Sequence, residues 1–192
     1  MLHGTGGTET SLLPLAQSLD PEAAILSPRG KVMEHGMPRF FQRLAEGVFD
    51  EEDLIRRTHE LAEFITQATR EYSFDPGSLV AIGYSNGANI AGGLLLLCPG
   101  VLPGAALLRP MVPLIPETLP DLAGAPVLVS AGHLDPIVPA HNARRLITLL
   151  RDSSASVTPR FENAGHGLTS TTIETTRHWL ADFNAPAPRV SR

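Results

Sequence analysis

The residues best suited to chemistry are Ser85, Asp135 and His166. Ser85 sits in Gly83-Tyr84-Ser85-Asn86-Gly87, a Gly-x-Ser-x-Gly pattern between an apolar run and a small-residue segment. That context is a nucleophile elbow, where a strand turns sharply into a helix and lifts a serine hydroxyl clear of the sheet. A serine hydroxyl is a weak nucleophile until a base takes its proton, and the base needs an acid to orient it. Asp135, in Gly132-His133-Leu134-Asp135-Pro136, and His166, in Ala164-Gly165-His166-Gly167, follow Ser85 in that order. The chemistry such a set performs is acyl transfer through an acyl-serine.

Each residue also has a structural reading. Ser85 could be a structural serine in a glycine-rich turn, and Asp135 a turn or helix-capping aspartate. His133 is the reserve base, whereas His141 and His178 fall at the start of a helix and within one. Cys98, the only cysteine, follows four leucines and reads as a buried helix-end residue.

A serine in so tight a turn occupies a sparsely allowed backbone conformation, at a cost on the order of 1–3 kcal/mol. Side chains two residues to either side would collide, hence Gly83 and Gly87. Close packing of the next helix on the sheet suits Ala88, Ala91, Gly92 and Gly93. The helix start leaves the N–H of Asn86 free to point at an oxyanion. A second donor is needed, and the glycine-rich start Leu2-His3-Gly4-Thr5-Gly6-Gly7 suits that task. The N–H of Thr5 is the candidate, with His3 shaping the loop.

Alternating patterns set the frame. Apolar runs at 23–26, 79–84, 105–108, 127–131 and 157–161 read as strands. Segments 10–19, 52–72, 86–97, 140–151 and 170–183 read as helices. In the second of these, Leu54, Ile55, Leu61, Ala62, Phe64, Ile65, Ala68 and Tyr72 mark one face of a 3.6-residue repeat. Such alternation predicts an α/β fold with a mainly parallel sheet and helices on both faces. Ligands of such sheets bind beyond the carboxyl ends of the strands, which is where Ser85, Asp135 and His166 fall. Residues 1–183 read as one domain and 184–192 as a loose tail rich in proline and alanine.

Two long connections, 30–50 and 109–126, follow expected strands. Loops of this length inside a domain often cover a site. Their apolar side chains read either as pocket wall or as satellite core. Phe40, Phe41 and Met111, with Leu134 from the acid loop, are the candidate substrate-binding residues. Arg29 and Arg109, at expected strand ends, read either as contacts to an anionic substrate group or as members of structural ion pairs.

Composition narrows the classes. The chain has 192 residues, 43% hydrophobic and 18% charged, with a formal net charge of −5. No basic stripe is present, which argues against nucleic acid as a partner. One cysteine supplies neither a disulfide framework nor a zinc-type cluster. The start has no leader pattern and the leucine run is too short to span a bilayer, so a cytoplasmic location is expected.

Together these segments resemble the carboxylesterase/phospholipase family of α/β hydrolases, which includes acyl-protein thioesterases. The resemblance covers most of the chain. It rests on His3-Gly4-Thr5-Gly6-Gly7, the Gly83–Gly87 elbow, Gly132-x-x-Asp135-x-Ile137-Val138-Pro139 and Gly165-His166. Leu26-Ser27-Pro28-Arg29-Gly30 and Met37-Pro38-Arg39-Phe40-Phe41 look like a bacterial esterase branch. The resemblance implies an α/β-hydrolase fold, hydrolysis of a small-molecule ester or thioester with no cofactor or metal, and frequently a homodimer. Two departures stand out. The family usually has Gln and then two Gly after the nucleophile, where this chain has Asn86-Gly87-Ala88. Relatives also carry a hairpin and a central strand before His-Gly, where this sequence has Met1 and Leu2. The expectation is therefore an α/β-hydrolase fold with its N-terminal strands missing or truncated. The rival readings are a non-catalytic binding protein of this fold, and a hydrolase of lysophospholipids or lactones.

Overall fold

The computed structural model describes residues 1–184. Its frame is a parallel sheet of four strands in the order β5-β6-β7-β8: β5 Val80–Tyr84, β6 Gly104–Leu108, β7 Pro126–Gly132 and β8 Ser156–Glu162. The crossovers between them are α3 Asn86–Leu97, a long irregular connection, and α4 Ala140–Asp152. Before the sheet come α1 Leu13–Leu19, the two-stranded units β1 Val32–Glu34 with β2 Met37–Arg39 and β3 Arg43–Ala45 with β4 Val48–Phe49, and α2 Glu51–Tyr72. The chain continues after β8 into α5 Ser170–Asn184.

Period-2 alternation along the strands divides the core. Ala81, Ala105, Leu107, Val127, Val129 and Ala131 face a cluster that includes residues of α2, α3 and α4. Ile82, Ala106, Leu108 and Leu128 face the opposite cluster, with Leu19 of α1 and Trp179 and Leu180 of α5. Burial on both sides explains why β5, β6 and β7 read as continuous apolar runs, whereas the end strand β8 is only partly buried and mixes polar residues in. The expected sheet with helices on both faces is observed.

Three details differ from the sequence expectations. Residues 23–26 form no strand; Ala23, Ala24 and Ile25 are exposed, and no ladder partner lies alongside them among the described residues. The 30–50 connection folds into two hairpins rather than a loop cover. Asn184, assigned to a loose tail, closes α5, and residues 185–192 lie outside the described residues. On the outer side of β5, Leu2 adds one parallel bridge: its N–H donates to Ile82 O at 2.9 Å, and Tyr84 N–H donates to Leu2 O at 3.1 Å. Among the described residues, no helix is long and apolar enough to cross a membrane.

Candidate active site

Ser85 connects β5 directly to α3 and has φ 52° and ψ −115°. A non-glycine residue held there is strained, and its surroundings fix it. Its N–H donates to Leu108 O at 2.9 Å, and its carbonyl accepts the first helical bond, from Asn89 N–H, at 2.9 Å. Gly87 gives the elbow its closest contact. A Cβ there would lie 1.9 Å from Leu2 O and 2.6 Å from His3 O, so the first turn of α3 rests directly on the N-terminal segment.

His166 stands in the loop between β8 and α5, with 15% of its side chain exposed. The Ser85 hydroxyl donates to His166 Nε2 at 2.9 Å, and His166 Nδ1–H donates to Asp135 Oδ2 at 2.8 Å. Asp135 lies three residues beyond β7. Its other oxygen, Oδ1, accepts the N–H groups of Ile137 and Val138, each at 2.9 Å. Turn aspartate and histidine partner are thus one residue using two oxygens. Burial pushes the Asp135 carboxyl up, but the bonds from Val138, His166 and Ile137 outweigh it and hold the group below the usual carboxylate range. The residue stays ionised at neutral pH. The hydrogen-bond chain can move a proton from a hydroxyl to an imidazole whose tautomer is fixed by a carboxylate.

Backbone proximity brings the acid and base loops together. His133 N–H donates to Glu162 O at 2.8 Å and Leu134 N–H to Ala164 O at 3.1 Å. A Cβ on Gly132 would lie 2.2 Å from Ala164 O, which explains the glycine that opens the acid motif. The other histidines lie elsewhere. His133 is exposed and stacked on Phe161, and His141 and His178 are exposed on α4 and α5.

The 3–7 loop is held by side chains. His3, 2% exposed, bonds Gly4 O through Nδ1 at 2.7 Å and accepts Gly30 N–H at Nε2 at 2.9 Å. This fixes the Nδ1–H tautomer. Burial lowers the His3 pKa, against a smaller opposite effect of the Gly4 carbonyl. Arg39, buried on β2, donates from Nη1 to Thr5 Oγ1 at 2.6 Å and from Nε to Phe41 O at 3.2 Å, and pairs with Glu34 at 3.1 Å. Gly6 N–H donates to Pro38 O at 2.9 Å. Among the described residues, the N–H groups of Thr5 and Asn86 donate to no protein acceptor, as the start of a helix dictates for Asn86.

Of the four candidate substrate-binding residues, two are placed differently from expectation. Phe41 is fully buried and packs edge-on against Phe49, with ring centroids 5.0 Å apart. Phe40 is 5% exposed against the His3 ring, and its N–H donates to Asn86 Oδ1 at 2.7 Å. Both are core residues that tie the hairpins to the elbow, because β2 runs inward to meet α3. Met111 is partly exposed, its N–H bonded to Asn89 Oδ1 and its methyl group close to Gly47. Leu134 is 69% exposed beside the His166 loop. Both arginines sit in ion pairs. Arg29 pairs with Glu9 on the surface, and Arg109 is completely buried.

The comparisons with known proteins agree with this fold. Residues 39–185 match the dienelactone hydrolase family. The chain is 50% identical over 182 residues to the putative hydrolase MhqD of Bacillus subtilis strain 168, covering 95% of this chain and 91% of that protein. The crystal structure of a Bacillus cereus carboxylesterase superposes with a TM-score of 0.92 at 53% identity, over 95% of this chain and 86% of that one. A Mesorhizobium loti carboxylesterase gives a TM-score of 0.88 at 35% identity, over 94% and 86%.

Proposed function

The chain belongs to the dienelactone hydrolase family and is a hydrolase of α/β type, and on that premise we propose that it cleaves carboxylic esters through an acyl-Ser85 intermediate. The observation that carries the proposal is the unbroken chain from Ser85 Oγ through the His166 ring to Asp135, at 2.9 and 2.8 Å.

In the first half-reaction the Ser85 oxygen bonds to the ester carbonyl carbon while its proton passes to His166 Nε2. The carbonyl oxygen becomes an oxyanion, held by the N–H groups of Asn86 and Thr5, each such donor being worth about 3–4 kcal/mol in the transition state. The carbon–oxygen bond to the leaving alcohol then breaks, and His166 returns its proton to that alcohol. Water repeats the sequence on the acyl-serine and releases the acid. Throughout, the Asp135 carboxylate stabilises the imidazolium and keeps Nε2 turned to the reacting oxygen. A thioester follows the same path with a thiol leaving.

A lactone is a second reading, favoured by the family that the chain matches. The same attack on a cyclic ester leaves both acid and alcohol in one product. A panel of linear esters of graded acyl length, thioesters and lactones separates these substrates. The proposal itself is tested with a fluorophosphonate probe and peptide mapping. Ser85 is the expected site of labelling, and Ser85→Ala is expected to lose about 10⁴-fold or more in hydrolysis. Unchanged turnover in that variant would sink the reading.

A further inference from the structure

Arg109 follows β6 directly, in a left-handed backbone conformation with φ 56°. It has no exposed surface, the most extreme burial of any charged residue described. A guanidinium carries five N–H donors in a planar fork and cannot shed its charge, so its burial demands acceptors on every side. Those acceptors are specific. Nε donates to Gly165 O at 3.1 Å, and Nη2 to Gly167 O at 3.0 Å, to Glu162 Oε1 at 2.6 Å and to Thr172 Oγ1 at 3.1 Å. Nη1 donates to Ser130 Oγ at 3.0 Å. Two of these acceptors are the carbonyls on either side of His166. The carbonyl between them, His166 O, accepts the Tyr84 hydroxyl at 3.2 Å. Burial pushes the Tyr84 pKa up, so this hydroxyl stays a donor.

Three successive carbonyls of the histidine loop are therefore held by Tyr84, the last residue of the nucleophile strand, and by Arg109, which follows the neighbouring strand β6. Tyr84 immediately precedes Ser85, and Leu108, next to Arg109, accepts the Ser85 N–H. Glu162 completes the mount. It receives Thr169 Oγ1 at 2.5 Å as well as the Thr172 hydroxyl and Arg109. Burial pushes its carboxyl up, but these bonds together hold it below the usual range, so it stays the anionic partner of Arg109.

We propose that Arg109 is a positioning residue for His166: its guanidinium clamps the Gly165 and Gly167 carbonyls and thereby sets the imidazole between Ser85 and Asp135. The proposal rests on His166 acting as the base, and it assigns Arg109 no contact with substrate. Only the planar fork spans both carbonyls while keeping Glu162 paired. A lysine keeps the charge for Glu162 but offers a single ammonium, which cannot reproduce the two-sided grip.

Arg109→Lys is the main test, with Arg109→Met/Glu162→Gln beside it because that pair leaves no lone buried ion. The expected result in folded protein is a fall of about 10²-fold in kcat and in the rate of fluorophosphonate labelling, with KM unchanged within about threefold, the scale for a misplaced catalytic group. A second readout does not use turnover. The His166 Nδ1–H···Asp135 proton is expected as a downfield NMR resonance in the wild-type protein, absent in His166→Ala and broadened or shifted in both Arg109 variants. Wild-type kcat together with an unmoved resonance in a folded Arg109 variant overturns the proposal. So does a rise in KM confined to anionic esters, which would make Arg109 a substrate contact. A wild-type protein that neither hydrolyses esters nor labels, yet whose resonance depends on Arg109, supports the positioning role while sinking the esterase reading.

Discussion

The two halves of the candidate site are held by different physics. Ser85, Asp135 and His166 project from the ends of β5, β7 and β8, and sheet register brings those ends together. The 3–7 loop has one bridge to the sheet, at Leu2, and depends instead on His3, Arg39 and the β1–β2 hairpin. In the first half a regular lattice of backbone bonds brings the strand ends together, and buried Arg109 seats the His166 loop upon it. The second is assembled from individual side-chain ties, each of which a single substitution removes. The difference teaches where the site is robust and where it is tunable.

The largest expected effect comes from breaking the seam between the halves. Gly87 is the point where α3 rests on Leu2 and His3. Gly87→Ala sets a methyl group against backbone, which cannot move aside as a side-chain end can. We expect a loss of about 3 kcal/mol in stability, seen in chemical denaturation. Labelling of Ser85 should fall with it, because both halves shift. Wild-type stability in this variant would mean that the N-terminal segment is not seated on α3.

The next effect separates the halves. Arg39→Met removes the bonds to Thr5 and to Phe41 O and the pair with Glu34, but touches nothing in the Ser85–His166–Asp135 chain. Glu34 keeps Arg43 as a partner at 2.7 Å. The expected outcome is a drop of roughly tenfold in kcat, smaller than the loss of a whole oxyanion donor, with little change in KM. The His166 Nδ1–H resonance should stay in place, in contrast to the Arg109 variants. If it moves, the halves are mechanically coupled and are not separate units.

The same division decides what could be read from sequence. The strands at 79–84, 105–108 and 127–131 are apolar runs largely buried in the sheet, 157–161 is a half-buried end strand with Arg160 exposed, and the site residues follow at the carboxyl ends. Pattern and position agree there, so Ser85, Asp135 and His166 stand out together. The hairpins were not legible as such. Their strands are two or three residues long, and β2 contains Pro38, so no alternation has room to develop. The available signal was the turn. His35 and Gly36 both have positive φ, 49° and 78°, the requirement of a two-residue hairpin loop, but histidine is not the usual residue there. Phe40 and Phe41 looked like pocket wall because aromatic residues in a long connection suit either role. The chain leaving β2 instead carries them into the core. Arg109 read as a strand-end cation, and nothing local marks it as buried. Its acceptors at 162, 165, 167 and 172 are far along the chain.

A smaller effect sharpens the description of the N-terminal half through pH. His3 accepts Gly30 N–H at Nε2, which only the neutral ring can do. Burial places its folded-state pKa below the usual 6.5. Its contribution to stability is therefore fully present above the unfolded value and is lost as pH falls through the folded value. Thermal unfolding followed from pH 7 downward should show the wild-type protein losing stability more steeply than His3→Gln. The Asp135 contribution, from a carboxyl held below its ordinary value, is lost only at more acidic pH and is common to both proteins. Parallel curves would mean that His3 carries no proton-linked share of the loop's stability.

The smallest effect concerns Arg29, which lies next to Gly30 and so close in sequence to the His3 anchor. Its partner Glu9 is a surface residue two positions after the 3–7 loop, and both side chains are about half exposed. An exposed pair contributes little, because solvent screens it and holding two long side chains still costs entropy. Removing Arg29 by substitution with alanine should leave kcat and KM within about twofold of wild type for neutral and anionic esters alike. The comparison with Arg109 then becomes informative. Both arginines lie near the carboxyl ends of strand-like segments in the sequence, yet one is a solvated pair and the other is sealed beneath His166. A selective loss of anionic substrates in Arg29→Ala would place a substrate contact on the N-terminal half, and that half would then be a recognition surface as well as an anchor.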